Sequence, residues 1–214
     1  MFFVPPILRL QSHETLFVLC LSNGDFDGLG KTREAELLKS CRHLDIPEDR
    51  VQIVDDPGLQ DGPMNVWDAE RVAEFLLPCI VKRSITPVVT FDSYGVSGHP
   101  NHIALYNAVV ALRKTAQLPN HIQTYTLQSV PLWRKFIGPL AILEHEGARL
   151  LAQRGGEGDS LVTASMDLPL VARSLFAHRS QAVWFRWLFV VFGRYSFVNV
   201  LQRLPSSEAL VSRQ

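Results

Sequence analysis

Residues 85–112 read ITPVVTFDSYGVSGHPNHIALYNAVVAL. Ile85 to Phe91 is a short, apolar, partly β-branched run of the kind that forms a strand covered on both faces. The polar turn that follows carries Gly95 and Gly98, and Pro100 stands where a first helical turn begins. From Pro100 to Leu112 the spacing predicts a helix. A strand passing through a glycine-bearing loop into a helix is the building unit of a parallel sheet covered by helices. The same unit recurs upstream. Thr15 to Ser22 (TLFVLCLS) leads through the loop Asn23 to Gly30 into an amphipathic helix over Lys31 to His43, with Thr32 as its cap and Glu36 in its first turn. Arg50 to Val54 (RVQIV), the turn-rich DDPGLQDGP and a helix over Asn65 to Val81, beginning around Trp67, form another, and Gln123 to Leu127 (QTYTL) adds a fourth strand. The predicted class is α/β.

Beyond Val130 the alternation fades. A helix is expected over Leu132 to Leu151, then a loop at Arg154 to Asp159 (RGGEGD), a short apolar piece and a tail rich in arginine and aromatic residues. These features divide the chain into a core over 1–130 and a helical C-terminal extension over 131–214.

With 214 residues and 47% hydrophobic content, the chain can bury one sizeable core. Equal totals of Lys+Arg and Asp+Glu, 21 of each, argue against a nucleic-acid-binding surface spread over the whole molecule. One basic region exists: between Leu170 and Pro205 the only formal charges are Arg173, Arg179, Arg186, Arg194 and Arg203, interleaved with Trp184, Phe185, Trp187, Phe189 and Phe192. Cys20, Cys41 and Cys79 are odd in number and sit among apolar neighbours, which fits buried free thiols in a reducing compartment. The opening MFFVPPILRL lacks a basic leader and is broken by Pro5 and Pro6, so it does not read as a signal peptide. No uncharged apolar run approaches the roughly 20 residues needed to span a bilayer.

Gly30-Lys31-Thr32, after a strand and before a helix, invites comparison with a phosphate-binding loop. Gly24 and Gly30 enclose one residue too many for that cradle, and Asp25 and Asp27 would place carboxylates where backbone donors must meet phosphate. Neither a nucleotide nor a nucleic acid is expected as a partner. His99 and His102 are different. Spaced i and i+3 they share a helix face, they follow a strand's carboxyl end where α/β sheets collect functional groups, and the glycines beside them let a substrate approach. A catalytic zinc takes three protein ligands, so further ligands must come from elsewhere. His178 to Arg186 (HRSQAVWFR) reads either as a helix packed on the sheet by its aromatics or as a membrane-interface segment, with Arg179, Trp184, Arg186 and Trp187 as the contacting residues.

At GKTREAELLKSC, VVTFDSYGVSGHPNHIALYNAVVAL, TLQSV and HRSQAVWFR the chain resembles the LmbE/PIG-L de-N-acetylase family. The resemblance implies a Rossmann-like, mostly parallel sheet flanked by helices. It further implies zinc-dependent hydrolysis of the N-acetyl group of GlcNAc-phosphatidylinositol at the cytoplasmic face of the endoplasmic reticulum membrane, in GPI-anchor synthesis. By the same resemblance His102 binds zinc, His99 assists the tetrahedral intermediate, and Arg33, Asp92 and Asn101 contact substrate. Members of the family carry a His-Pro-Asp-Asp-Glu strand end just before the position matching Met1. The family's first strand, two zinc ligands and the general base are therefore expected to be missing here, with weak zinc binding and little turnover. The alternative is a non-catalytic Rossmann-like module that binds at a membrane.

Overall fold

The structure, a computed structural model, describes residues 2–62, 64–152 and 160–207, without the side chains of 148–152. The loop expected at 154–159 lies outside the described residues. The chain forms two interleaved units, the first of residues 1–18, 29–52 and 130–200 and the second of 19–28, 53–129 and 201–214. A single cut at 130 therefore corresponds to only one of the places where the chain passes from unit to unit. The first 18 residues and 29–52 group with 130–200 rather than with the second unit.

In the first unit the opening residues form α1 (Val4–Gln11), with Pro5 and Pro6 in the first turn, where backbone N–H groups lack helical acceptors. α2 (Gly30–His43) follows without a side-chain cap. Thr32 lies inside this helix rather than capping it, and Glu36 is buried, accepting from Ser180 N and Oγ, both at 2.6 Å. The helix expected over 132–151 is two pieces, α6 (Leu132–Lys135) and α7 (Leu140–Ala152). They are parted by Gly138, whose φ of +54° suits glycine and whose N–H donates to Phe192 O at 2.8 Å.

The C-terminal extension is not helical throughout. It contains α8 (Leu168–Phe176), capped by Asp167, and α9 (Arg186–Phe192), but also two strands, β5 (Ser160–Ala164) and β6 (Val198–Arg203). β6 gives its first residues to this unit, where Thr163 Oγ1 donates to Asn199 O at 3.4 Å, and its last residues to the other. Val4, Cys41, Leu44, Ile46, Val171 and Val190 form the core under α1, α2, α8 and α9.

The second unit holds the later strand-to-helix units read from sequence; α2 belongs to the first unit, and the strands at 18–20 and 51–53 pass from the first unit into the second. β1 (Val18–Cys20) and β2 (Val51–Ile53) form a two-stranded sheet, extended by Val54 N donating to Cys20 O at 2.8 Å. α3 (Ala69–Lys82) starts later than expected because Asp68, not Trp67, supplies the cap, accepting from Glu70 N at 2.9 Å. Trp67 instead lies buried before the helix, its indole N–H donating to Gln60 O at 2.9 Å. β3 (Val88–Phe91), the single turn α4 (Gly95–Gly98), α5 (Pro100–Lys114) and β4 (Thr124–Leu127) complete the series. β3 and β4 run parallel, in register from Val88 with Thr124 to Phe91 with Leu127, and β4 pairs antiparallel with Leu201 to Arg203 of β6. The fold is α/β, with a mixed rather than a wholly parallel sheet.

Leu59, Val72 and Ala108 are fully buried in one cluster of this unit, and Ile80, Val88, Leu112, Leu118 and Ile122 form a second. Each large side chain so buried contributes about 1.5–3 kcal/mol. Arg113, buried at the end of α5, donates to the carbonyls of Pro119 and Ile122 and to Thr124 Oγ1, and so fixes the chain's return into β4.

His178, half-buried beside Glu36 in the first unit, carries a pH dependence. Burial, reinforced by Arg186 and opposed by Glu36, pushes its imidazole down to about 4. The unfolded chain, with an ordinary imidazole, binds the proton first, so stability is full above pH 6.5 and is lost as pH falls towards 4. The lowered Glu36 carboxyl acts in the same direction at the acid end of that window. Thermal melts should therefore show a loss on the order of 2 kcal/mol between pH 6.5 and 4.5 that His178→Gln removes. An identical pH profile in the variant would show that the acid sensitivity lies elsewhere.

Candidate active site

The site in the second unit is built on the adjacent carboxyl ends of β3 and β4. Asp92 directly follows β3, and Ser129 lies two residues beyond β4. Asp92 Oδ1 accepts from Tyr94 N at 3.1 Å, Gly95 N at 3.0 Å and Ser129 Oγ at 2.6 Å, while Oδ2 accepts from Ser129 N at 2.6 Å. Both oxygens are thus engaged with the two loops. Ser129 Oγ in turn accepts from Val96 N at 2.9 Å. That bond matters because Val96 is a buried, β-branched residue held at φ +68°, a conformation that costs on the order of 1–3 kcal/mol.

This bent loop brings Gly95 against α5. A Cβ on Gly95 would lie 2.7 Å from His102 Cβ, and its φ of +60° also favours glycine. The approach places Gly95 O 3.0 Å from His102 Nδ1. A carbonyl only accepts, so Nδ1 carries the proton and the lone pair of the neutral ring stands on Nε2. Burial is the main influence on this imidazole and holds its pKa below the usual value. The Gly95 carbonyl and Asp61 oppose the shift and His99 adds to it. The ring stacks on Phe91, with centroids 3.8 Å apart and planes 11° apart, which fixes its orientation.

His99 occupies the N-cap position of α5, its ring centroid 4.9 Å from that of His102. Its Nδ1 is buried and has no hydrogen-bond partner among the described residues. Asn101, between the histidines, is 4% exposed, and its amide donates to Asp61 Oδ1 at 3.1 Å. Asp61 is thereby held where its charge acts on both His102 and the buried thiol of Cys20, whose pKa is raised chiefly by burial.

The sequence reading singled out neither Asp61 nor Ser129. Asp61 sits in the turn-rich DDPGLQDGP and Ser129 in TLQSV, and only the fold joins them to the histidine loop. Of the predicted substrate contacts, Asp92 braces the loop and Asn101 anchors Asp61. Arg33 lies half-buried in the first turn of α2, in the other unit. His102 fits one coordination position of a metal, its proton side tied to a backbone carbonyl as metal-bound histidines commonly are. Among the described residues no group of three His, Cys, Asp or Glu side chains is placed to hold a metal, so the three-ligand set of a catalytic zinc is not present there.

Residues 1–113 match the sequence profile of the family described as PIG-L, GlcNAc-PI de-N-acetylase. The chain is 41% identical to an N-acetylglucosaminyl-phosphatidylinositol de-N-acetylase of Bos taurus, over 95% of its own length and 78% of that protein. The chain belongs to the PIG-L family. A probable N-acetylglucosaminyl-phosphatidylinositol de-N-acetylase of Schizosaccharomyces pombe is 37% identical over 95% of this chain and 81% of its own length. The solved structure of N,N'-diacetylchitobiose deacetylase from Pyrococcus horikoshii has a TM-score of 0.63 at 15% identity, covering 94% of this chain and 78% of that one, and shares the LmbE-like α/β fold.

Ser129→Ala removes the acceptor of Val96 N and one donor to Asp92, and should destabilise the protein by about 2 kcal/mol. Gly95→Ala should cost more, since the added methyl meets His102 Cβ and the backbone is strained as well. Denaturant melts measure both. An unchanged midpoint for Gly95→Ala would contradict the packing of this loop against α5.

Proposed function

We propose that this chain hydrolyses the N-acetyl group of N-acetylglucosaminyl-phosphatidylinositol, releasing acetate and glucosaminyl-phosphatidylinositol, an early step of GPI-anchor synthesis at the cytoplasmic face of the endoplasmic reticulum membrane. The observation that carries the reading is the histidine pair: His102 is neutral, oriented and carries its lone pair on Nε2, beside a His99 whose Nδ1 is buried and unpartnered among the described residues. Similarity to curated de-N-acetylases over nearly the whole chain supplies the substrate.

In the hydrolysis, the oxygen of water bonds to the acetamide carbon as the water's proton passes to solvent, the carbon–nitrogen bond breaks to leave acetate, and the sugar nitrogen takes up a proton that solvent replaces on its donor. His99, at the N-cap of α5, donates a hydrogen bond to the oxyanion and passes the proton to the departing amine. The partial positive charge of the helix start favours the same developing anion. Zn2+, with His102 Nε2 among its ligands, would polarise the carbonyl and lower the pKa of the attacking water. Asp92 and Ser129 keep the loop in place, and Asn101 holds Asp61 beside His102. The incomplete set of metal donors among the described residues favours a second reading, a non-catalytic Rossmann-like module that binds the glycolipid at a membrane.

A deacetylase assay with parallel zinc analysis separates these readings. The expected result is weak zinc binding that His102→Ala removes, and a low acetate release that His99→Ala lowers a further about 10²–10⁴-fold. Equal zinc and equal acetate release before and after His102→Ala would refute the assignment of that residue. No acetate from the zinc-loaded chain would leave the binding-module reading standing.

A further inference from the structure

Three of the four tryptophans of this chain are exposed, and all three lie in the first unit. Trp133 on α6 is 70% exposed, Trp184 just before α9 is 78%, and Trp187 on α9 is 57%. They are not scattered. Gly138, between α6 and α7, donates to Phe192 O at the end of α9, and a Cβ there would meet Val191 O at 3.0 Å, so the α6–α7 turn abuts the end of α9. Leu132, Phe136, Leu140 and Leu143 on one side and Phe185, Leu188, Val191 and Phe192 on the other are exposed around this junction. Exposed apolar side chains gathered on segments joined in this way mark an interaction surface rather than a scattered background. Half of it, over 132–143, lies in a segment that the sequence presents as an ordinary helix.

The charge around this face narrows what covers it. Between Leu170 and Pro205 there are five arginines and no acidic residue. Arg179 is exposed and Arg186 half-buried next to the tryptophans, and Lys135 is half-buried on α6. On α7, Glu144 is taken up by Arg134 at 2.5 Å and by Arg194, and Glu146, a turn beyond Leu143, is exposed. Indole rings flanked by cations over an apolar floor match the headgroup layer of a bilayer, where the ring lies at the boundary and the cation meets lipid phosphate. Among the described residues no helix is long and apolar enough to cross a membrane, so such a contact lies along the surface.

We propose that the face formed by α6, the start of α7 and α9 docks on the surface of a phospholipid bilayer containing anionic lipid, with Trp133, Trp184 and Trp187 at headgroup depth. The proposal deepens the reading of a phosphatidylinositol-linked substrate and rests on it for preferring a bilayer to a soluble partner. Its new content is the α6–α7 half of the surface, joined to the arginine-bearing half through Gly138 and Phe192.

The test mixes the full chain with vesicles of phosphatidylcholine alone and of phosphatidylcholine with phosphatidylinositol, without acetylated glycolipid, and reads flotation and quenching of tryptophan by brominated acyl chains. Binding with quenching is expected, stronger on the anionic vesicles. Two paired variants, Trp133→Ser with Leu143→Ser and Trp184→Ser with Phe192→Ser, should each lower binding tenfold or more while melting like the unmutated chain. Undiminished binding of the first pair would overturn the composite face. So would a concentration-dependent dimer that the same pair dissolves, with no vesicle binding, because the occupant would then be a second copy. Because the vesicles carry no substrate, loss of the docking proposal and loss of the deacetylation reading are scored separately. Docking without acetate release removes only the latter.

Discussion

The Asp92 carboxylate is the point on which the geometry of the histidine site depends. It accepts from four donors, two in its own loop and two on Ser129, and so binds the carboxyl ends of two parallel strands into one platform. Charge-assisted hydrogen bonds of this kind are the strong ones, and here they offset a local cost. Val96 is kept at a positive φ that a β-branched residue otherwise avoids, its N–H held by the same Ser129 hydroxyl. Without that hold, Gly95 would not reach His102, and the tautomer of His102 would not be set by the Gly95 carbonyl. The chain of cause runs from strand register to a saturated carboxylate, then to a strained loop, and only then to an imidazole with its lone pair on a chosen nitrogen.

Seen from the sequence, the elements whose partners are close in the chain were the easiest to read. β1 to β4 and α2, α3 and α5 lie within a few residues of their expected places, because apolar runs and helical periodicity are local signals. What the sequence hid depends on distant partners. Glu36 looks like a first-turn residue of α2, but Ser180, 144 residues away, draws it inward. β6 looks like part of an aromatic tail, yet Gln202 O accepts from Thr126 Oγ1 of β4 at a separation of 76 residues. Gly138 breaks the expected long helix because its N–H is claimed by Phe192, which no window of sequence around it contains.

The candidate site divides in the same way. His99 and His102 sit in one motif with their glycines. The spacing suggests a shared helix face, but His99 stands at the N-cap with extended backbone, and it is the bend into α5 that brings its ring 4.9 Å from that of His102. Ser129 reaches Asp92 across 37 residues and Asp61 reaches Asn101 across 40, so neither stood out beforehand. Asn101 likewise has a partner that its motif does not contain. The family resemblance makes it a substrate contact; α5 leaves it 4% exposed, its amide N–H donating to Asp61 and its buried Oδ1 without a partner among the described residues. A residue one position from a histidine on a helix points about 100° away from it, which turns Asn101 toward Asp61.

The arginines of the last third of the chain make the same point for charge. In sequence the five between Leu170 and Pro205 are equivalent, and together they suggest a surface for anions. The fold separates them. Arg194 is 3% exposed and is matched with Glu144, which Arg134 also binds, so its charge is compensated internally and serves to tie α6, α7 and the chain entering β6. A buried cation so compensated projects little field into solvent, whereas Arg179 is exposed to it. The attraction that a basic aromatic tail offers to an anionic surface is therefore carried by fewer arginines than the composition suggests. It is the apolar contribution, drawn from α6 and α7 as well as from the tail, that is larger than the sequence revealed.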